Sequence, residues 1–263
     1  YYECGIAEAN MVGAAAGLAI AGKIPFVGSF AEFVTGRVYD QIRMEVCYGE
    51  TNVKIASSHA GITLGEDGAT HQTMEDIALM RALPNMIVIN PCDWTQTKNA
   101  TIAAAKVNGP VYLRFGRPKV ADFMPDEPFE IGKAYVLNEG KDVTIFATGH
   151  MVWEALQAAE TLEAEGICAE VIDIATIKPL DTEAVIASAV KTGAVVVAEE
   201  HNMAGGLGEL IAGVLAASCP KPIEYVNGKD QFGQSGTPSE LLAAYDMDAA
   251  HIAEAARKVM ERK

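Results

Sequence analysis

Met86-Ile87-Val88-Ile89, then Thr95-Gln96-Thr97-Lys98-Asn99-Ala100-Thr101-Ile102-Ala103-Ala104-Ala105-Lys106-Val107, then Val111-Tyr112-Leu113-Arg114 follow one another with short joints between them. The outer pieces are short apolar runs rich in β-branched residues, and the middle piece is long and alanine-rich. Strand, helix and strand in that order form the unit of a parallel sheet, because parallel strands need a long crossover between them.

The same alternation extends in both directions. Upstream, an alanine-rich helix over 8–22 ends at Gly22 and leads to a strand at Ile24–Val27. A helix is expected over Glu32–Cys47, a strand at Val53–Ala56 and a helix at Met74–Arg81. Between Pro118 and Asp142, prolines and mixed charges break the pattern into a linker with at most a short hairpin. Beyond it the alternation resumes, with strands at Val143–Thr148, Ala169–Ile174, Ala194–Glu199 and Pro222–Val226. Helices are expected at Val152–Glu165, Thr182–Val190 and Leu207–Ala217, then from Pro238 and from Ala249. The fold class is α/β, in two domains that each have a mostly parallel sheet covered by helices. Residues 1–118 form the first domain, 119–141 the linker and 142–263 the second domain.

Composition excludes several function classes. The chain has 263 residues, half of them hydrophobic, with 20 Lys+Arg against 35 Asp+Glu and a net charge of −15. That charge repels a polyanion, and no basic patch offsets it, so nucleic acid is not an expected partner. There is no long apolar run for a membrane and no basic, then apolar, N-terminal leader. The 5 cysteines are scattered without Cys-x-x-Cys spacing, which fits small core residues in a reducing cytoplasm.

Four groups of residues stand out. Glu8 lies among Gly, Ile, Ala and Met, where an unpaired carboxylate is costly to bury. Phe30 and Phe33, in Ser29-Phe30-Ala31-Glu32-Phe33, share one side of a first helical turn. His59 precedes Gly65-Glu66-Asp67-Gly68-Ala69-Thr70-His71-Gln72, on loops after strand-like runs, where parallel sheets bind ligands. Arg117 ends Leu113-Arg114-Phe115-Gly116-Arg117 and is a local cation for an anionic ligand, with Arg114 as its competitor. A metal site built from His59, His71 and the two carboxylates is the rival reading, but its spacing is that of no zinc motif. The glycine-rich Glu199–Gly208 stretch reads as a phosphate cradle or as close packing.

Together these motifs resemble the transketolase family over essentially the whole chain: a pyrimidine-binding domain of the thiamine-diphosphate fold, then a transketolase C-terminal domain. The resemblance implies that Glu8 binds and activates thiamine diphosphate through its aminopyrimidine, and that Phe30 and Phe33 line the ring's pocket. It implies that His59, Asp67 and His71 contact a sugar substrate, His71 also serving proton transfer, and that Arg117 holds the sugar phosphate. The usual tyrosine three residues after Phe33 is Gly36 here, with Tyr39 nearby. The chain has no Gly-Asp-Gly, the family's diphosphate and metal motif. The resemblance therefore implies an N-terminal partner subunit that carries the diphosphate with Mg2+ or Ca2+, while this chain ligates no metal and mediates dimerisation. Relative to the family, the first domain begins without its N-terminal strand and helix. The implied activity is ketol transfer between sugar phosphates, in the pentose phosphate class of reaction. Deoxyxylulose-phosphate synthase, a 2-oxoacid dehydrogenase β subunit and a non-catalytic assembly subunit are the alternatives.

Overall fold

The computed structural model describes residues 1–263. The first part of the chain runs α1 (Glu8–Ile20), β1 (Phe26–Val27), α2 (Ala31–Thr35), α3 (Tyr39–Gln41), a π-helix (Ile42–Tyr48), β2 (Lys54–Ser57), a 3-10 turn (Ile62–Leu64), α4 (Asp76–Ala82), β3 (Ile87–Ile89), α5 (Trp94–Lys106) and β4 (Val111–Arg114). The second runs β5 (Tyr135–Asn138), β6 (Val143–Ala147), α6 (Met151–Ala164), β7 (Ala169–Asp173), β8 (Thr176–Lys178), α7 (Thr182–Thr192), β9 (Val195–Asn202), α8 (Leu207–Ser218), β10 (Ile223–Gly228), α9 (Pro238–Ala244) and α10 (Ala249–Met260). No helix is long and apolar enough to cross a membrane.

Two sheets result, with strand orders β1-β2-β4-β3-β8 and β10-β9-β6-β7-β5. Every pairing is parallel except β3 with β8 and β5 with β7. All residues of β4 and β6 are buried, as strands covered on both faces should be. Within the stretch read as a linker, Tyr135–Asn138 is a strand on the edge of the second sheet. The start of that stretch is tied to the first domain. Asp93 caps α5 with one oxygen and accepts from the N–H groups of Phe123 and Met124 with the other.

The structure corrects one expectation and adds one strand that the sequence pattern did not show. The single helix expected over Glu32–Cys47 is three pieces, broken at Gly36–Val38. Gly36 is a poor interior helix residue, Val38 leaves the helical region at φ −119° and ψ 27°, and the chain re-forms as a π-helix. The added strand is β8, which follows β7 in sequence but crosses to the first sheet. It pairs antiparallel with β3, Val88 opposite Lys178 and Ile89 opposite Thr176. Ile177 packs into the first domain's core, and Lys178 donates to the carbonyls of Arg81 and Leu83 at the end of α4. A short run with a lysine and an adjoining Pro179 carries no local sign of which sheet it joins.

Asp173, at the end of β7, is fully buried between the domains and accepts from the Gln96 side chain of α5. Burial, with the nearby Asp93 charge adding to it, pushes its pKa up from 3.8 to about 7. A carboxyl raised in the folded state contributes stability that is complete below its unfolded value and is lost as pH rises through the folded one. Asp173→Asn should therefore gain on the parent chain by about 2–3 kcal/mol between pH 5 and pH 8. Urea denaturation at the two pH values measures this, and parallel curves for the two proteins would contradict it.

Candidate functional site

Glu8 opens α1 with its side chain almost wholly buried. Ser29, just after β1, donates from its hydroxyl to Glu8 Oε1 at 3.2 Å, and Arg37 donates from Nη1 to Oε2 at 3.2 Å. The cost of burying this carboxylate is offset by a cation and a hydroxyl that the broken helix and the strand end bring to it.

Beside Glu8 stands a set of flat rings. Phe30 and Phe33 lie parallel, with centroids 5.9 Å apart and planes 4° apart. The His59 ring stacks on Phe30 at 3.9 Å, and His71 meets Phe30 and Phe33 edge-on at 6.0 and 5.2 Å. Arg37 lies 4.1 Å over the Phe33 ring. His59 has a left-handed backbone, φ 62°, and its Nδ1 pairs with the Ser58 hydroxyl at 2.8 Å. Burial and the Arg117 charge lower its pKa below the ordinary imidazole value, while Asp67 pulls the other way. Both charges thus act on the His59 ring.

Arg117 is partly exposed and donates to the Leu64 carbonyl at 2.7 Å and to Glu66 at 2.6 Å. Asp67 is exposed on the adjoining turn. Arg114 is removed from contention as an anion contact. Its side chain is fully enclosed, paired through Nε and Nη2 with Asp76 at 2.7 and 3.1 Å, and bonded through Nη2 to the Glu200 carbonyl at 2.9 Å. Tyr112 donates a further bond to Asp76 at 2.6 Å. Burial opposes the charge on Asp76, but Arg114 and these hydrogen bonds outweigh it and hold the pKa below the usual carboxylate value. Tyr39 packs against the first domain's core, and the group set against Phe33 is Arg37.

The second domain holds the loop that carries Asp67 and His71. The Gln72 amide donates to the carbonyls of Ile62, Gly65 and Gln234. Glu200 accepts from the Thr63 N–H, and Gly61, at φ 83°, lies so close that an added Cβ would stand 2.7 Å from its carboxylate. Ser29, Arg37, Gln72 and Glu200 were not singled out from sequence. Gln72, Ser29 and Glu200 did lie inside motifs that stood out, 65–72, 29–33 and 199–208, whereas Arg37 lay in none. The glycine-rich turn after β9 resolves as close packing. Glu199 accepts from the N–H groups of Leu207 and Gly208, so the first turn of α8 is already occupied by the chain's own carboxylate.

Residues 1–122 match the pyrimidine-binding domain of transketolase, and residues 132–252 match the transketolase C-terminal domain. The chain belongs to the transketolase family. This transketolase chain is 47% identical over 262 residues to the 6-deoxy-6-sulfo-D-fructose transketolase subunit SqwH of Clostridium sp. (strain MSTE9), covering 99% of this chain and 81% of that protein. It is 38% identical over 264 residues to an apulose-4-phosphate transketolase subunit of Phocaeicola vulgatus, covering 100% and 84%. A split-gene transketolase solved as an inactive β4 tetramer superposes with a TM-score of 0.91 at 50% identity, covering 97% of this chain and 82% of that one.

Asp76→Asn should destabilise this transketolase chain by about 3 kcal/mol, because it leaves Arg114 buried without its anion. The midpoint of urea unfolding reads the loss. An unchanged midpoint would show that the pair does not hold the first sheet.

Proposed function

We propose that the chain is the C-terminal subunit of a split, thiamine-diphosphate-dependent transketolase that moves a two-carbon ketol unit between sugar phosphates. The observation that carries this reading is the convergence of buried Glu8 with the rings of Phe30, Phe33, His59 and His71. A buried carboxylate beside flat apolar surfaces fits the aminopyrimidine half of the cofactor, which needs a stacking wall and a partner for a ring nitrogen. No three His, Cys, Asp or Glu side chains come together as a metal-ligand set, and the sequence has no Gly-Asp-Gly. We therefore assign the diphosphate and its Mg2+ or Ca2+ to an N-terminal partner subunit. The inactive state of the related β4 tetramer supports that division, and it supports association of this chain with its own copies. The five free cysteines suit a reducing cytoplasm.

When bound, thiamine diphosphate supplies the electron sink that stabilises the donor carbanion. Glu8 orients the pyrimidine and holds a proton at its ring nitrogen, and Phe30 and Phe33 exclude water from it. His71 binds a sugar hydroxyl and moves its proton, His59 lies toward the anionic end, and Asp67 accepts from a second hydroxyl. Burial and Arg117 favour the neutral form of His59, in which one ring nitrogen donates and the other accepts. Arg117 meets the phosphate by giving up part of its contact with Glu66. The names of both relatives describe sugars with an acidic group, sulfo in one and phosphate in the other, which supports a cation at that end of the site.

Ketol transfer from xylulose 5-phosphate to ribose 5-phosphate, with thiamine diphosphate and magnesium, should appear only when the chain is mixed with a Gly-Asp-Gly-bearing N-terminal subunit. Glu8→Gln in the mixture should lower kcat by about 100-fold or more. Full activity of that variant would refute the role of Glu8. Arg117→Met should raise KM for the phosphorylated acceptor roughly tenfold or more with a smaller change in kcat. A loss confined to kcat would place Arg117 elsewhere in the cycle.

A further inference from the structure

Arg37 makes the two contacts that a cofactor ring would need in this pocket. Its guanidinium is planar, lies 4.1 Å over the Phe33 ring and presents an N–H edge to Glu8 Oε2 at 3.2 Å. An aminopyrimidine has the same features, a flat face and a nitrogen-bearing edge. Glu8 Oε1 is already engaged by Ser29, so the ring and Arg37 compete for the remaining oxygen.

The two members of the ion pair differ in freedom. The Glu8 side chain is 8% exposed and fixed at the start of α1, whereas Arg37 is 48% exposed and stands at the break between α2 and α3. Arg37 can therefore leave without becoming a buried unpaired charge, and Glu8 cannot. A second carboxylate is within its electrostatic reach. Glu32 lies five residues earlier with its carboxylate turned to the same break, 3.6 Å from where a Cβ on Gly36 would stand, and the Arg37 charge acts on it against its burial and the repulsion of Glu75.

We propose that Arg37 is an internal stand-in for the cofactor's pyrimidine ring. In the cofactor-free chain it keeps Glu8 paired and Phe33 covered, and it is displaced toward Glu32 when the ring enters. This inference rests on the thiamine-diphosphate reading above. Contacts made only in the free site are lost on binding, so they weaken the cofactor's apparent affinity and slow its entry.

The test has two parts. In the isolated chain, Arg37→Ala should lower the melting temperature by roughly 2–5 °C, and the same change made on top of Glu8→Gln should lower it much less. In the reconstituted complex, thiamine diphosphate binding is followed by quenching of protein fluorescence. Arg37→Ala should bind the cofactor about three- to tenfold faster and more tightly than the parent, with Arg37→Lys, which keeps the charge and loses the plane, falling between. Slower, weaker or unchanged binding in Arg37→Ala, with the parent complex binding normally, overturns the stand-in role and leaves the functional reading intact. Additive melting shifts in the double variant overturn the Arg37 to Glu8 coupling. A parent complex that binds no thiamine diphosphate overturns the functional reading, and the stand-in role with it.

Discussion

Arg114 and Asp76 are opposite charges sealed together inside the first sheet, and the positions of the pocket's walls follow from that pairing. Two ions removed from water are tolerated only when their hydrogen-bonding groups are used, and here Asp76 accepts from the guanidinium and the Tyr112 hydroxyl while the Glu200 carbonyl accepts from the guanidinium. Arg114 ends β4, so Phe115, Gly116 and Arg117 leave the sheet from a fixed point. Asp76 begins α4, so the loop carrying Asp67 and His71 ends at a fixed point. The Glu200 carbonyl belongs to β9, so the second sheet is held against both.

The second domain accordingly shapes the loop that carries Asp67 and His71. The Glu200 side chain holds Thr63, and the Gln234 carbonyl takes the Gln72 amide. An added Cβ on Gly233 would stand 1.9 Å from the Gln72 oxygen, so the two loops are in close contact. Phe30, His59 and Arg117 follow the ends of β1, β2 and β4, but the loop between His59 and Asp76 takes its shape from residues more than 120 positions later in the sequence.

Legibility in the sequence followed the range of the interactions involved. β4 and β6 were readable because strands buried on both faces are mainly apolar, and α5 because alanine favours helix whatever surrounds it. Glu8, Phe30, Phe33, His59 and His71 were readable as motif residues, and the fold brings the four rings together, with Arg37 linking Phe33 to Glu8. Arg37 was not, because an arginine in a helical run looks like a solvated charge until the break at Gly36–Val38 turns it onto Glu8. Arg114 misled as a possible anion contact, since its partner lies 38 residues away on another element. The π-helix and β8 were missed for the same reason, being settled by packing at a distance.

β8 also makes the order of the chain differ from the order in space. The first sheet takes its last strand from beyond the linker, so its edge at β3 is incomplete until the second half of the chain has been made. A nick anywhere in the largely exposed stretch 119–134 would leave two fragments still sharing a sheet. An exchange of halves between relatives at that stretch would likewise replace the neighbour of β3 along with the second domain. The two sheets are thus inherited as one unit, although the chain reads as two.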